Sequence, residues 1–483
     1  MSVSRSTVIK SLIWKLLERC SVQVVTFIVT IVLARILVPE DYGLIALVLV
    51  FVNISNVIVD GGLNMALVQK KDADNVDFST IFFTSLLLAT FLYILLFVFA
   101  GPISGFYEKP ELVPVIRVLG ISLFFYAISS IQKAFLSRHL LFKNLFYSSL
   151  GAVVVSGVIG IWMAKMGYGV WALVAQNLTL QIVTTIIMWY TVRWRPQLVF
   201  SYERFKFLFN FGWKIFASNF LINLFVNVRS LIIGKFYTAS ALGYFDRGKQ
   251  FPALIIENIN ASIQAVLFPV LSEEQDNIQN VKSMVRRSIK MSAFIIYPLV
   301  IGLIVTAEPL VRTILTDKWL GAIPFIQIFS IAYILMPMQV ANLQAIQALG
   351  YSGTTLKMEL IKKMIELIIL FVTVQISVTS IAWGIVAYNT ICLFINILPN
   401  KKLLSYGIRE QLIDVIPTLF IALTMGASIY WLRCLEIPCM AILFLQFTIG
   451  VAIYIGLCLL FKEESFIYLK QLYSDNKHKL HRQ

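Results

Sequence analysis

The sequence predicts an all-α polytopic membrane protein of about fourteen transmembrane helices, and three observations lead there. Of 483 residues, 59% are hydrophobic and only 13% charged, about half the charge of a soluble domain. Mean hydropathy is +0.83. Apolar runs of about 20 residues, the length a helix needs to cross the hydrocarbon, follow one another almost without pause. They are continuous rather than alternating, which argues against a β-barrel.

The runs fall at 12–34, 43–64, 79–100, 113–136, 146–165, 169–191, 212–234, 251–271, 290–307, 323–347, 358–378, 380–398, 413–432 and 438–461. The first is too long and continuous for a removed signal peptide and is expected to remain as helix one. The eleventh and twelfth are separated by little more than "SVTS". An even number of spans puts both termini on one side. Lys and Arg gather in the connections on that side, which predicts cytoplasmic termini. Orientation thus accounts for most of the formal charge of +15, and the charge makes no case for nucleic acid.

Other chemistry is sparse. Cys20, Cys392 and Cys458 sit in apolar runs as small core residues. Cys434 and Cys439 bracket "CLEIPC" and could pair in an oxidising compartment. His139, His478 and His481 show no metal-ligand spacing, and no metal or cofactor is expected. No connection is long enough for a soluble catalytic domain, and no G-x-x-x-x-G-K-[ST] loop could bind a nucleotide. Neither enzyme chemistry nor ATP hydrolysis is expected.

The two halves resemble each other. "IWKLLERC" aligns with "GWKIFASN", pairing Trp14-Lys15 with Trp213-Lys214. "ARILVPEDYGL" aligns with "GKFYTASALGY", placing Arg35 eight residues before Gly43 and Lys235 eight before Gly243. A weaker match relates "IQKAFLSRHLLFK" to "LQAIQALGYSGTTLK". Between the halves, "VRWRPQLVFSYERFK" carries four basic residues and a helix-ending Pro. The expected organisation is a six-helix bundle over 1–192, a cytoplasmic linker over 193–211, a second six-helix bundle over 212–399, and two further spans with a basic cytoplasmic tail over 400–483. An even span count gives the halves the same orientation. Parallel repeats of this kind build transporters that bind substrate near the midplane and work by alternating access.

The stretch "LARILVPEDYGLIALVLVFVNISNVIVDGGLNMALVQKKD" (Leu33 to Asp72) carries a resemblance. Its R-x-L-x-P-x-D-Y-G-L and D-G-G-L-x-x-A-L-V-Q elements resemble the Wzx-type polysaccharide transporters, in the lipopolysaccharide/colanic-acid exporter branch. These belong to the multidrug/oligosaccharidyl-lipid/polysaccharide exporter superfamily. The motif residues also have local physical roles. With Arg35 as its first residue, the motif has Pro39 to end the first helix, Asp41 to cap the second and Gly43 to permit tight entry. Asp60-Gly61-Gly62 breaks the second helix near its cytoplasmic end. The resemblance implies a flippase for a polyprenyl-pyrophosphate-linked oligosaccharide in the bacterial inner membrane, serving O-antigen, capsule or exopolysaccharide synthesis. It also implies a polysaccharide polymerase and chain-length proteins as partners, and H+ or Na+ coupling.

Such a substrate needs a wet, cationic cavity for its head, while its tail stays in lipid. Basic side chains within spans are costly and usually face a bundle interior or an aqueous vestibule. Lys15, Glu18 and Arg19 share one helical face, net cationic; snorkelling to headgroups is the competing reading for Lys15. Lys214 is the repeat equivalent of Lys15, and Arg229 lies about four turns beyond it. With Arg117, these make the expected cationic lining: Lys15, Arg19, Arg117, Lys214 and Arg229. Lys133 lies close to a loop and reads mainly as interfacial. Glu359, Lys362, Lys363 and Glu366 are expected to pair along one helix. Glu257 is isolated in the eighth span, as a site for a coupling proton or cation or as the partner of a neighbouring basic residue. Two rivals remain: a cation-coupled exporter of drugs or organic cations, which would want carboxylates in its cavity, and a membrane polymerase or ligase, which would want a charged outer loop.

Overall fold

The structure is a computed structural model that describes residues 5–435 and 437–471, with the side chains of 5–12 and 352 excepted. His478, His481 and the end of the basic tail lie outside the described residues. Those described are helical nearly throughout, with no strand among them. The chain divides into two compact units, Met1–Gly243 and Tyr244–Gln483.

The first unit runs through α1 (Arg5–Ile36), α2 (Pro39–Asp60), α3 (Leu63–Gln69), α4 (Asn75–Tyr107), α5 (Leu112–Gly120), α6 (Ser122–Arg138), α7 (Phe142–Lys165), α8 (Val170–Thr191) and α9 (Tyr202–Phe236). It also holds the start of α10 (Ala239–Glu273). Its core gathers Leu63, Leu67, Phe78, Ile81, Ile131, Leu136, Met188 and Trp194. The seventh span, expected from residue 212, already begins at Tyr202. There the Ser201 hydroxyl accepts the Arg204 N–H at 3.5 Å and satisfies one of the helix's orphan donors.

Punctuation falls where the motif places it. Pro39 is the first residue of α2, where a missing N–H costs nothing. Asp41 accepts the Val38 N–H at 3.2 Å from inside the first turn. Gly61 and Gly62 adopt φ of 53° and 68°, ending α2 and starting α3. Asp74 caps α4, accepting the N–H groups of Val76 and Asp77 at 3.0 Å each.

The repeat-equivalent glycines face each other's helices. A Cβ on Gly43 would stand 1.8 Å from the Ala239 carbonyl oxygen, and one on Gly243 2.1 Å from that of Pro39. A Cβ on Gly62 would lie 2.2 Å from the Gly212 carbonyl oxygen. Only glycine permits such approaches of backbone to backbone.

The second unit contains the rest of α10, α11 (Ile278–Leu310), α12 (Ile323–Ile334), α13 (Met336–Ala348), α14 (Ser352–Thr373), α15 (Val378–Leu403), α16 (Ile408–Tyr430) and α17 (Cys439–Leu460). Val281, Val285, Ile289, Ile296 and Tyr297 of α11 run through its core, against Val415, Ala422 and Met425 of α16 and Tyr454 of α17. The weaker sequence repeat proves to be one turn used twice. Leu141 N–H reaches the Leu136 carbonyl at 2.9 Å over Leu140 at φ 56°; Tyr351 N–H reaches Ile346 at 3.1 Å over Gly350 at φ 83°. Each turn follows a span broken into two helices, α5–α6 and α12–α13.

Among the described residues, thirteen helical stretches are long and apolar enough to cross a membrane. The eleventh expected span, 358–378, forms as α14 but is not among them, since it carries Lys357, Glu359, Lys362, Lys363 and Glu366. Its amphipathicity is inverted. Leu360, Met364, Ile368 and Phe371 are exposed, while Lys362 and Glu366 are buried at 4% and 5%. On α4, Leu87, Phe91, Ile94 and Val98 form a similar exposed apolar stripe, as a surface facing lipid tails should. Cys434 and Cys439 are both free thiols.

Candidate functional site

The most concentrated charge within the first unit's spans gathers where α1, α6 and α7 meet. Lys15 Nζ lies 2.9 Å from Glu18 Oε2. The Ser149 hydroxyl of α7 donates to Glu18 Oε1 at 3.2 Å. Lys133, half-buried on α6, stands within electrostatic range of both Glu18 and Lys15. One carboxylate therefore faces two ammonium groups, with exposed Arg19 on the next turn position. Packing holds the cluster: Trp14 meets Phe146 at 5.4 Å and Tyr147 at 6.1 Å between ring centroids. Lys15 also lies 5.7 Å from the Phe142 ring, a cation–π distance.

One turn beyond the D-G-G break, the Asn64 amide donates to the Asp60 carboxylate, and Tyr126 lies within electrostatic range of Asp60. Fully buried Gln132, beside Lys133 in sequence, has neither amide atom hydrogen-bonded among the described residues. The cluster of Lys15, Lys133 and Arg19 thus offers excess positive charge around one carboxylate, Glu18. That arrangement can neutralise an anion.

The other expected residues lie elsewhere. Arg117 belongs to the far end of the α5–α6 span, sixteen residues and about 24 Å of helix from Lys133. Its guanidinium stacks 4.3 Å over the Phe97 ring and donates to the Phe97 carbonyl at 3.4 Å. Lys214 is exposed on α9 and Arg229 is half-buried further along it. On that 35-residue helix only Leu208, Gly212, Ile233 and Gly234 are buried. A cavity of about 800 Å³ opens at its start, lined by Lys206, Phe207, Asn210, Trp213 and Phe216. Arg35, in the last turn of α1, complements that helix's dipole.

In the second unit Glu257 accepts the Tyr333 hydroxyl at 2.9 Å. Among the described residues it makes no ion pair. On α14, Lys362 pairs with Glu359 at 2.7 Å and Lys363 with Glu366 at 2.8 Å, where sequence spacing also allowed Lys362 with Glu366.

Two networks were not anticipated. In the first unit Asp77, fully buried, takes Lys70 at 2.7 Å and Arg204 at 3.2 Å. Arg138 donates to the carbonyls of Leu67, Val68, Lys70 and Lys71, closing the end of α3. The Asp74 carboxyl is pushed up by burial. The Asp77 N–H and Arg204 outweigh this and hold it below its ordinary value. In the second unit Asp414 joins Arg286 at 2.5 Å, Lys290 at 3.3 Å and the Tyr406 hydroxyl at 2.7 Å. Burial, then the Asp414 hydrogen bond, pushes the Tyr406 hydroxyl pKa up. The available signal was Asp414 standing among the apolar residues of "LIDVIP".

Residues 32–324 match the protein family described as "Polysaccharide biosynthesis protein". Similar chains include the teichuronic acid biosynthesis protein TuaB of Bacillus subtilis (strain 168), 27% identical over 74% of this chain and 74% of that one. The succinoglycan biosynthesis transport protein ExoT of Rhizobium meliloti (strain 1021) is 24% identical over 68% and 67%. The lipopolysaccharide biosynthesis protein WzxC of Escherichia coli (strain K12) is 24% identical over 63% and 62%. Among solved structures, the lipid II flippase MurJ in an inward closed conformation superposes with a TM-score of 0.75 at 14% identity, covering 94% of this chain and 99% of that one. An inward-facing MATE family multidrug resistance transporter of the MOP superfamily gives 0.59 at 16% identity, covering 79% and 94%. The chain has the fold of these transporters.

Proposed function

Because the chain belongs to the polysaccharide biosynthesis protein family, we propose that it is a flippase that carries a polyprenyl-pyrophosphate-linked oligosaccharide across the bacterial inner membrane. Both termini face the cytoplasm, the two six-helix repeats share one orientation, and transport proceeds by alternating access without covalent chemistry. A polymerase and chain-length proteins act on the delivered unit.

The observation that carries this reading is the cluster of Lys15, Glu18 and Lys133 with Arg19. A pyrophosphate leaving water needs more than one cation, and a cation held within a span needs a counter-charge while the site is empty. Glu18 supplies that counter-charge, and Ser149 fixes its orientation. When the anion arrives, Lys15 and Lys133 exchange one carboxylate for several phosphate oxygens. Lys214, Arg229 and Arg117 extend positive charge beyond the cluster, and the aromatic rings at the start of α9 offer apolar faces for sugar. Glu257, held by a neutral hydroxyl, keeps a carboxylate free to take the coupling proton or Na+.

Radiolabelled repeat units in cells lacking the protein test the assignment. The flippase reading requires lipid-linked units to accumulate on the cytoplasmic leaflet and Lys15→Ala/Lys133→Ala to leave them there while still inserting. Accumulation on the outer leaflet would instead indicate an enzyme acting after transfer.

A further inference from the structure

The second unit carries a polar cavity of about 360 Å³ outside the proposed transport site. Ser283, Arg286, Arg287 and Lys290 line it from α11, with Ser465 and Tyr468 from the helical segment 464–471 that follows α17. Its charges do not balance. Asp414, its side chain 1% exposed, is shared between Arg286 at 2.5 Å and Lys290 at 3.3 Å. Glu464 meets Lys290 at 2.6 Å but is 77% exposed, so water screens much of its charge. Arg287 stacks 4.7 Å over the Tyr468 ring and has no carboxylate partner within 4.0 Å among the described residues. Three cations therefore face one buried and one solvated carboxylate, and the surplus is an exposed guanidinium.

The position of the cavity says what the anion is. α17 ends its apolar run at Leu460, and α11 turns from "KSMVRRSIK" to apolar residues at Met291. The cavity therefore lies at the level where hydrocarbon gives way to headgroups. Beside it Phe461, Ile467 and Leu469 are exposed, an apolar surface for acyl chains. We propose that this cavity binds the phosphate of an anionic glycerophospholipid. The guanidinium of Arg287 pairs bidentately with the phosphate oxygens, and the tails lie along Phe461 and Ile467. The bound lipid ties the start of α11 to the segment after α17.

Thermal unfolding of the purified full-length protein tests this, with phosphatidylglycerol, phosphatidylcholine or glycerol 1-phosphate added in turn. Phosphatidylglycerol should raise the midpoint more than phosphatidylcholine, and salt should reduce the gain. Glycerol 1-phosphate alone should do little. Arg287→Gln should weaken phosphatidylglycerol binding about tenfold, the loss of one charge-assisted contact. Lys402→Glu, a charge change at the end of α15, should not. Equal shifts from both lipids, or an Arg287→Gln variant that responds like Lys402→Glu, would overturn the proposal. A full shift from glycerol 1-phosphate would overturn the lipid assignment. Should Arg287→Gln not survive heating, lipid adducts counted by native mass spectrometry at room temperature give the same comparison.

Discussion

Lys133 shows how little a residue's distance from a span end says about its surroundings. Three positions from the end of its expected span, 113–136, it reads as interfacial, yet it is half-buried within electrostatic range of Glu18 and Lys15. Two ammonium groups beside one carboxylate within a span depend on its negative charge, although water screens part of it at half-exposed Lys15. Glu18→Gln should therefore lower the yield of folded protein, measured by size exclusion, and a second change, Lys133→Met, should restore part of it. Arg229→Ala should impair export with normal insertion, read from surface polysaccharide and membrane fractions. Asp74 is held below its ordinary pKa, so the stability it adds is present above the unfolded carboxylate range. That contribution is lost as pH falls through the lowered folded value. Asp74→Asn should flatten the acid limb of a thermal-unfolding profile and lower the midpoint at neutral pH. The clusters around Asp77 and Asp414 were not legible as clusters, because Arg204 and Arg286, which complete them, lie over a hundred residues away along the chain. Local spacing did predict the pairing of Glu359 with Lys362.

At the scale of elements, a helix forms at each of the fourteen expected runs, and thirteen stretches among the described residues are long and apolar enough to cross a membrane, because crossing hydrocarbon demands continuous apolar helix and leaves few alternatives. Helix ends were legible where the chain must turn, as at Pro39 and Gly61-Gly62. The breaks at Gly120–Ser122 and around Leu335 were not, since Gly120 and Pro337, which mark them, sit inside otherwise continuous apolar runs. Nor did apolar run length mark α14 as inverted, with charge inward and Phe371 outward. Gly43 and Gly243 looked like aligned residues in a repeat; in space each receives the other helix's backbone. Gly43→Ala puts a methyl group 1.8 Å from the Ala239 oxygen. Such overpacking costs about 1–3 kcal/mol and sometimes more. The thermal midpoint should fall for Gly43→Ala and stay level for Gly101→Ala, where no atom lies within 4 Å of the new Cβ.

For the whole molecule, the turn over a positive-φ residue and the broken span before it recur in both halves of the chain, and family membership directs its use toward polysaccharide precursors. The identity of the sugar leaves no trace in a charge cluster suited to any pyrophosphate. The central claim is that Lys15 and Lys133 lift an anionic lipid-linked head out of the inner leaflet. Reconstituted in proteoliposomes with a fluorescent polyprenyl-pyrophosphate oligosaccharide, the protein should move label to the opposite leaflet, as read by impermeant quenching, and Lys15→Ala/Lys133→Ala should lose most of that movement. Unchanged transfer by the double variant, or none by the intact protein across an imposed H+ or Na+ gradient of either sign, would contradict it.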